Sequence, residues 1–217
     1  MKLYGYWRSS SAWRVRIALA WKGLPYENVP VHLLRGGGEQ FSDGFRERNP
    51  ISQVPVLEVE RDGKPHRITQ SMAIIEYLDE VVQKPPLLPR DPLDRARARE
   101  LAELVNSGIQ PLQNRLLMNR VSELGGDPKA FAARFVASGL AALEVHAALS
   151  SGRYLVGDEP TLADIYLVPQ LYNARRFSVA LEPYPRLRAV ELACELLPAF
   201  AAAHPDRQPD AEAPAPT

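Results

Sequence analysis

The chain has 217 residues, with 26 basic and 26 acidic side chains, 46% hydrophobic residues and one cysteine. This length suffices for one large or two small domains with a proper core, and the zero net charge gives no electrostatic reason to expect a nucleic-acid or membrane-surface partner. The single cysteine, Cys194, excludes an intramolecular disulfide, and its apolar neighbours favour a buried structural thiol over a nucleophile.

The sequence carries no targeting or metal-binding signal. The first eight residues include a charge, at Arg8, and no signal-peptide apolar region, and no apolar run approaches the roughly 20 residues that span a bilayer. The four histidines are scattered without the spacing of a metal site. We therefore predict a soluble cytoplasmic protein without a metal.

Residues 1–82 alternate short apolar runs with helical stretches, which predicts one small mixed sheet with flanking helices. Asp62 and Gly63 suit the turn of a hairpin, and Ser71 suits the N-cap of the last helix. In chain order the predicted elements are a strand at Leu3–Tyr6, a helix at Ala12–Trp21, a strand at Tyr26–Leu33, a short helix within Phe41–Arg48, strands at Val54–Val59 and His66–Thr69, and a helix at Met72–Asp79.

Four prolines between residues 83 and 92 mark a linker, because proline continues neither a helix nor a strand. Beyond them the pattern is almost wholly helical, and Thr161 with Asp164 predicts a capping box at one helix start. The residues from 205 onward are rich in proline, alanine and aspartate, which is typical of disorder. The predicted organisation is a first domain at 1–82, a linker at 83–91 and a helical domain at 92–217 with a disordered tail from about residue 205.

A proline at the entry to a strand needs a structural reason, because it cannot donate to the sheet ladder. Val54-Pro55 is such a position. A cis peptide bond there would turn the Val54 N–H and C=O outward, where they could pair with an extended peptide. An edge-strand proline is the alternative, and the spacing does not distinguish the two.

Two predicted helix starts carry polar residues. Ser9, Ser10 and Ser11 precede the first helix, and Gln70 and Ser71 precede the last helix of the first domain. The unpaired N–H groups and the positive dipole end of a first helical turn favour an anion, and an exposed amide beside them could hold a carboxylate. Plain N-capping by a serine is the alternative. Together, the two helix starts and the outward-facing N–H and C=O of Val54 would suit a small anionic peptide.

Arginine outnumbers lysine by 21 to 5, and its planar fork is suited to gripping a carboxylate. Arg8, just before the serines, is well placed to reach a ligand. Arg14 and Arg16 cannot share a helix face, so we expect at least one of them in solvent or in a salt bridge. Arg175 and Arg176 are further candidates, although each of the five arginines, taken alone, also suits the protein surface.

The segment Tyr6–Leu19 resembles the Ser-Ser-Cys-x-Trp-Arg-Val-Arg-Ile-Ala signature of the zeta class of glutathione transferases, the family that contains maleylacetoacetate isomerase. The resemblance covers essentially the whole chain. Its further matches are Asn49–Pro55, Gln70–Leu78, Gly108–Asn114, Val156–Asp164, Val168–Gln170 and Arg207–Asp210.

The resemblance implies an α/β domain with a thioredoxin-like fold that binds glutathione, followed by an all-α domain, in a homodimer. It implies that Pro55 is the cis proline and that Val54 pairs with the cysteinyl backbone of glutathione. Ser9 would hydrogen-bond the sulfur and favour the thiolate, in a catalytic turn shared with Ser10 and Ser11. The implied glutathione site is Ser9, Ser10, Gln40, Val54, Pro55, Gln70, Ser71, Gln110 and Asn114, and the implied residues for the substrate carboxylates are Arg8 and Arg176.

The activity that the resemblance implies is glutathione-dependent isomerisation of maleylacetoacetate or maleylpyruvate, by thiolate addition, bond rotation and elimination. The class usually has a cysteine at the place of Ser11, so dehalogenation through a mixed disulfide is put in doubt here, whereas isomerisation is less affected. A general transferase acting on α-halo acids, which would consume glutathione, is one alternative. A non-catalytic binding module with the same fold is the other.

Overall fold

The computed structural model describes residues 1–212, which fall into two compact units. The first unit contains Met1–Pro85 and the residues from Pro198 onward, and the second contains Pro86–Leu197. The division lies inside the proline-rich stretch that the sequence marks as a linker. The assignment of everything beyond residue 92 to one helical domain was wrong for residues 198–212, called here the C-terminal segment, which belong to the first unit.

The first unit contains four strands: β1 (Lys2–Gly5), β2 (Glu27–Pro30), β3 (Val56–Arg61) and β4 (Lys64–Thr69). They form one sheet in the order β2-β1-β3-β4, with β1 parallel to β2 and antiparallel to β3. The β3–β4 hairpin turns at Asp62 and Gly63, whose φ angles of 54° and 69° suit a type I′ turn. The predicted hairpin is therefore confirmed.

The helices of the described residues are α1 (Ser10–Trp21), α2 (Asp43–Arg46), α3 (Ser71–Val81), α4 (Pro92–Asn106), α5 (Arg115–Glu123), α6 (Pro128–Ala147), α7 (Leu162–Arg176), α8 (Pro185–Glu195) and α9 (Pro198–Ala202). In the first unit α1 connects the parallel strands β1 and β2 and packs against both α3 and α9. Because α1 is covered from two sides, Arg14 and Arg16 are both buried, with 0% and 2% of their surface exposed. Neither side chain therefore lies in solvent, which was one of the two outcomes expected for this pair.

The C-terminal segment is ordered against the first unit. Pro205–Arg207 form a 3-10 helix, and Phe200, Ala203 and Pro205 are buried. The prediction of a disordered tail from about residue 205 was therefore wrong up to residue 212, because apolar side chains of this segment are covered by the domain beneath them. Residues 213–217, which belonged to the same prediction, lie outside the described residues.

The second unit is helical, as predicted, and contains α4 to α8. The start of α7 is the predicted capping box: the Thr161 N–H donates to Asp164 Oδ2 at 2.7 Å, and Thr161 Oγ1 accepts from the Ala163 N–H at 3.3 Å. On α8, Cys194 is fully buried, and this burial raises the pKa of its thiol far above the ordinary value. Cys194 is thus the structural thiol that the sequence predicted.

Helix α6, with 20 residues, is long and apolar enough to cross a membrane by length and composition alone. Charged residues such as Arg134 and Glu144 interrupt this helix, so it is not an uninterrupted apolar run of that length. One face of α6 is buried through Ala132, Val136, Leu140 and Leu143, and the helix packs against α4, α5 and α8. The helix therefore packs through one face against the rest of the helical unit.

Candidate active site

The start of α1 presents a hydroxyl with an unused proton. Ser9 is the N-cap, with extended φ and ψ angles of −68° and 120°, and its Oγ accepts a hydrogen bond from the Ala12 N–H at 3.3 Å. This bond uses one lone pair of the oxygen and leaves the O–H free to donate. Within residues 1–212 that O–H has no acceptor. Capping by a serine, the alternative left open above, is observed, and it does not occupy the proton that a ligand would need.

The neighbours of Ser9 differ in exposure. Ser10 is buried at the first helical position, whereas Ser11, the second helical residue, is half-buried. Arg8 is also half-buried, and its guanidinium carbon lies 5.3 Å from the centre of the Trp7 ring, within the range of a cation–π contact. The Arg8 charge therefore lies directly before Ser9–Ser11, called here the serine turn. It has no carboxylate partner among residues 1–212.

The Val54-Pro55 peptide bond is cis. Pro55 is buried and precedes β3, which begins at Val56, so the missing proline donor costs the sheet no ladder bond. Neither the N–H nor the C=O of Val54 pairs with another residue in the described part of the chain. The half-buried Val54 therefore offers one donor and one acceptor to an extended peptide.

The start of α3 is open in a different way. Its N-cap is Gln70, so the prediction that Ser71 caps this helix was wrong. Gln70 is exposed and has a positive φ of 69°. No side chain caps the first turn. Ser71 lies inside the helix, and its Oγ accepts a hydrogen bond from Arg14 Nη1 at 3.3 Å. Buried Arg14 therefore ties the serine of α3 to α1, and the amide of Gln70 projects beside an uncapped helix start.

Gln40 lies in the 3-10 helix Glu39–Phe41, in the loop that follows β2, and is buried. Its amide lies over Gly38, which has a φ of 118°, and a Cβ at Gly38 would come within 2.6 Å of Gln40 Nε2. The positive φ of Gly38 is the reason that glycine is favoured at this position. Gln40 Oε1 is a buried acceptor without a partner among residues 1–212.

In the second unit, Gln110 begins the 3-10 helix Gln110–Gln113 and Asn114 follows it. The Asn114 side chain accepts from the Leu116 N–H at 3.4 Å and so caps α5, which leaves its amide nitrogen unused by that contact. Gln113 Nε2 donates to Gln170 Oε1 of α7 at 2.6 Å, and Gln170 is fully buried. This bond fixes the turn that carries Gln110 and Asn114.

The two arginines at the end of α7 have different surroundings. Arg175 forms two hydrogen bonds with the buried carboxylate of Glu191 on α8, which raise the pKa of Arg175, so this residue is engaged in a structural ion pair. Arg176 is exposed and donates from Nη1 to Asn173 Oδ1 at 3.2 Å.

The predicted site residues divide between the two units. Arg8, Ser9, Ser10, Ser11, Gln40, Val54, Pro55, Gln70 and Ser71 lie in the first unit, and Gln110, Asn114 and Arg176 lie in the second. Sequence reasoning missed Asp210, which together with buried Arg16 binds the peptide groups of Trp7 just before Ser9. The motif Arg207–Asp210 was among the segments that resemble the zeta class, and it was the one available signal for Asp210.

Two family models match the chain. The model of the glutathione S-transferase N-terminal domain matches residues 1–80, and that of the glutathione S-transferase C-terminal domain matches residues 130–190. A probable maleylacetoacetate isomerase of Drosophila melanogaster is 47% identical over 96% of this chain and 89% of its own length.

Solved structures extend this likeness to three dimensions. The maleylacetoacetate isomerase of Anaeromyxobacter dehalogenans 2CP-1, with glutathione bound in its active site, is 58% identical, has a TM-score of 0.89 and covers 97% of each chain. The same enzyme is known with dicarboxyethyl glutathione and citrate in the active site. A bacterial maleyl pyruvate isomerase, described as a zeta-class glutathione S-transferase, is 44% identical, has a TM-score of 0.91 and covers 98% of this chain and 100% of its own.

A thioredoxin-like sheet with a cis proline before β3, together with a separate helical unit, defines a glutathione transferase fold, and the predicted fold class is confirmed. These proteins are glutathione-dependent enzymes. The chain belongs to the zeta class of the glutathione S-transferases, the family of the maleylacetoacetate and maleylpyruvate isomerases, as its sequence motifs predicted.

The residues present fit glutathione as a ligand. Glutathione is an anionic tripeptide with an extended backbone, a thiol and two carboxylates. The first unit offers the free hydroxyl proton of Ser9, the unpaired peptide groups of Val54 and the uncapped helix start at Gln70. Within residues 1–212 the Ser9 proton has no acceptor and the Val54 peptide groups have no partner, as binding of a thiolate and of a peptide backbone would require, and the helix start at Gln70 suits a carboxylate.

Proposed function

We propose that the protein is a glutathione-dependent cis–trans isomerase that converts maleylacetoacetate or maleylpyruvate to the fumaryl isomer. The observation that carries this proposal is the start of α1, where Ser9 Oγ accepts the capping hydrogen bond and keeps a proton to donate. When bound, glutathione would supply a thiolate whose addition turns the substrate double bond into a single bond, which can rotate before elimination restores the double bond and the free thiolate.

Ser9 stabilises negative charge on the sulfur. Its oxygen is held by the Ala12 N–H, so the hydroxyl donates to sulfur without first losing another acceptor. The N–H groups of Ser10 and Ser11 open the same helical turn and add the positive end of the helix dipole. A hydrogen bond to the charged form lowers the pKa of a thiol, and a helix N-terminus does the same. Both effects raise the fraction of thiolate at neutral pH.

The rest of the first unit binds the peptide. The Val54 N–H and C=O pair with the cysteinyl backbone, and Pro55 in its cis form directs them outward. Gln70, Ser71 and the first turn of α3 bind a carboxylate. Gln40, Gln110 and Asn114 are the further glutathione-binding residues that the family resemblance implies.

Arg8 and Arg176 bind the carboxylates of the substrate. Arg8 is supported by the Trp7 ring and carries its charge beside the serine turn. Guanidinium groups bind carboxylates through two parallel hydrogen bonds, which orients a diacid as well as attracting it. A substrate carboxylate bound at Arg8 would orient the double bond toward the nucleophile. In the A. dehalogenans relative, bound dicarboxyethyl glutathione and citrate are carboxylates in the active site of that protein.

The reaction returns glutathione unchanged, which separates it from a transferase. Ser11 stands where the zeta class usually has cysteine, so the serine turn itself contributes no thiol. The one cysteine of the chain, Cys194, is buried in the second unit. The reactive sulfur is therefore that of glutathione, and isomerisation needs no other.

We also propose that the enzyme is a cytoplasmic homodimer, as the family resemblance implies. Light scattering of the purified protein would then give twice the chain mass of 24.2 kDa. A monomer mass at micromolar concentration would contradict the homodimer.

Turnover with a glutathione balance tests the proposed function. The purified protein is mixed with glutathione and with maleylacetoacetate or maleylpyruvate in parallel, the fumaryl product is followed by chromatography, and total free glutathione is titrated before and after. We expect product only when glutathione is present, with no net consumption of glutathione. Stoichiometric loss of glutathione would indicate a transferase, and no glutathione-dependent rate with either diacid would overturn the proposal. The ratio of the two kcat/KM values assigns the preferred diacid.

A further inference from the structure

The peptide backbone just before the serine turn is held by two charged side chains. The Trp7 N–H donates to Asp210 Oδ2 at 3.0 Å, and the Trp7 C=O accepts from Arg16 Nη2 at 2.8 Å. The Tyr6 C=O accepts from Arg16 Nη1 at 3.4 Å and from the Ser9 N–H at 2.9 Å. Both sides of Trp7 are therefore fixed, two residues before the serine that we assign to the thiol.

Asp210 and Arg16 are themselves anchored. The second oxygen of Asp210, Oδ1, accepts from Asn28 Nδ2 of β2 at 3.1 Å, and Arg16 Nε donates to the Ala203 C=O at 3.2 Å. Burial lowers the pKa of Arg16 to about 10, and the nearby Asp210 carboxylate acts in the opposite direction, so the guanidinium stays charged at neutral pH. The C-terminal segment thus contributes two groups to these contacts: the Ala203 carbonyl, which binds Arg16, and the Asp210 carboxylate, which binds the Trp7 N–H.

We propose that Asp210 is a positioning residue for the thiol chemistry, because the C-terminal segment fixes the Trp7 peptide and through it the place of the Ser9 hydroxyl. This inference rests on the proposed role of Ser9 in the isomerase. The loop between β1 and α1 has only four residues, Tyr6 to Ser9. A shift of the Trp7 peptide therefore also displaces Ser9. Misplacement of a catalytic group by about 1 Å can lower a rate by about 100-fold.

Asp206, in the same segment, supplies the matched control. It is exposed, and its contact is a 3.7 Å approach to His204 within its own 3-10 turn, whereas Asp210 reaches a peptide 203 residues earlier in the chain. Asp210→Asn keeps the size of the side chain and removes its charge and one of its two acceptors. Asn28→Ala loosens Asp210 without altering the Trp7 contact itself, and it serves if Asp210→Asn folds poorly.

The first measurement needs no glutathione. Hydrogen exchange at the Trp7 amide is followed by NMR in the ligand-free wild type, Asp210→Asn, Asn28→Ala and Asp206→Asn. We expect exchange at Trp7 to be at least about tenfold faster in Asp210→Asn, intermediate in Asn28→Ala, and unchanged in Asp206→Asn, with amides of the helical unit unaffected. Wild-type exchange at Trp7 in Asp210→Asn would overturn the inference whatever the protein catalyses.

The second measurement separates positioning from general stability. In Asp210→Asn we expect kcat to fall about tenfold while the KM for the diacid changes less than about twofold, with a higher pKa in the pH profile of the rate. A merely structural loss would lower the amount of active protein without moving that pKa. Unchanged kcat and pH profile in Asp210→Asn, with an active wild type, would overturn the inference alone. A wild type that shows no glutathione-dependent turnover would overturn the proposed function, and with it the catalytic part of this inference.

Discussion

The starts of α7 and α1 both carry a hydroxyl N-cap, but they differ in what the cap leaves unused. At α7, Thr161 Oγ1 accepts from the Ala163 N–H and donates to Asp164, whose other oxygen accepts from the Leu155 N–H. This cap is buried, and its hydroxyl is used as both donor and acceptor. At α1, the hydroxyl of Ser9 accepts a bond but donates to none of residues 1–212.

The difference separates a helix start that stabilises the fold from one that is available to a ligand. The partner of Thr161 lies three residues away, so the α7 cap closes on itself locally. The turn of Ser9 is held from outside, by Asp210 across 203 residues of sequence and by buried Arg16. Because Asp210 and Arg16 fix the backbone before Ser9, the Ser9 hydroxyl is not needed to hold the turn and can donate to a ligand.

The largest expected effect is a loss of stability at the N-cap of α7, formed by Thr161 and Asp164 and called here the closed cap. Asp164→Ala leaves the N–H groups of Leu155 and Thr161 buried without their acceptor, so we expect the free energy of unfolding to fall by about 3–5 kcal/mol. Urea unfolding measures it. Asp94→Ala, in the exposed first turn of α4, is the control and should cost less than about 1 kcal/mol. A cost below about 1 kcal/mol for Asp164→Ala would remove the contrast between the two caps.

At the N-cap of α1, formed by Ser9 and called here the open cap, the effect should appear in the rate of isomerisation. Ser9→Ala removes the proton donor to the sulfur, and we expect kcat/KM for isomerisation to fall about 100- to 1,000-fold, the loss typical of one donor to a developing charge. Stability should fall by only about 1 kcal/mol, for the lost cap. Ser11→Ala is the matched control: it keeps the backbone N–H that Ser11 contributes to the helix start and removes only its hydroxyl, so it should retain the wild-type rate within about threefold. Equal rates for Ser9→Ala and Ser11→Ala would contradict the assignment of Ser9.

The closed cap should also respond to pH. Burial raises the pKa of Asp164 from 3.8 to about 6, while the hydrogen bonds from Leu155 and Thr161 oppose this rise. The folded protein therefore binds the extra proton between about pH 4 and 6, and the contribution of Asp164 to stability falls as pH rises through that window and is constant above it. The difference in unfolding free energy between wild type and Asp164→Asn should change by roughly 2–3 kcal/mol across it. A flat difference from pH 4 to 7 would contradict the raised pKa.

The smallest effect should come from the uncapped start of α3. Gln70→Ala removes the exposed amide beside the first turn, and we expect the KM for glutathione to rise about tenfold with little change in kcat, because this contact binds ground state and transition state equally. Gln83→Ala, an exposed glutamine beyond the end of α3, should leave both constants unchanged. If kcat falls while KM is constant, Gln70 acts on the chemistry and not on binding.

Sequence predicted well what short patterns determine. The Thr161–Asp164 box and the Asp62-Gly63 turn each depend on residues that are neighbours in the chain, and both are present. The family motifs likewise identified the fold and the enzyme family from local segments such as Tyr6–Leu19.

Sequence failed where a contact comes from far along the chain or from an uncommon backbone conformation. Arg14 and Arg16 are buried because α3 and the C-terminal segment both cover α1, and helix periodicity cannot show two covering layers. The composition of the C-terminal segment indicated disorder, yet Asp210 ties it to Trp7. Gln70 takes the cap position at a positive φ, which serine rules for N-caps do not anticipate.

The ionisation of bound glutathione tests the role of the open cap most directly. The ultraviolet absorbance of the thiolate is titrated against pH for glutathione bound to the wild type and to Ser9→Ala, with binding verified in each by calorimetry. We expect the wild type to lower the pKa of the bound thiol clearly below that of free glutathione, and Ser9→Ala to return it most of the way to the free value. The same thiol pKa in both proteins, with glutathione bound, would contradict the claim that the unused proton of Ser9 stabilises the thiolate.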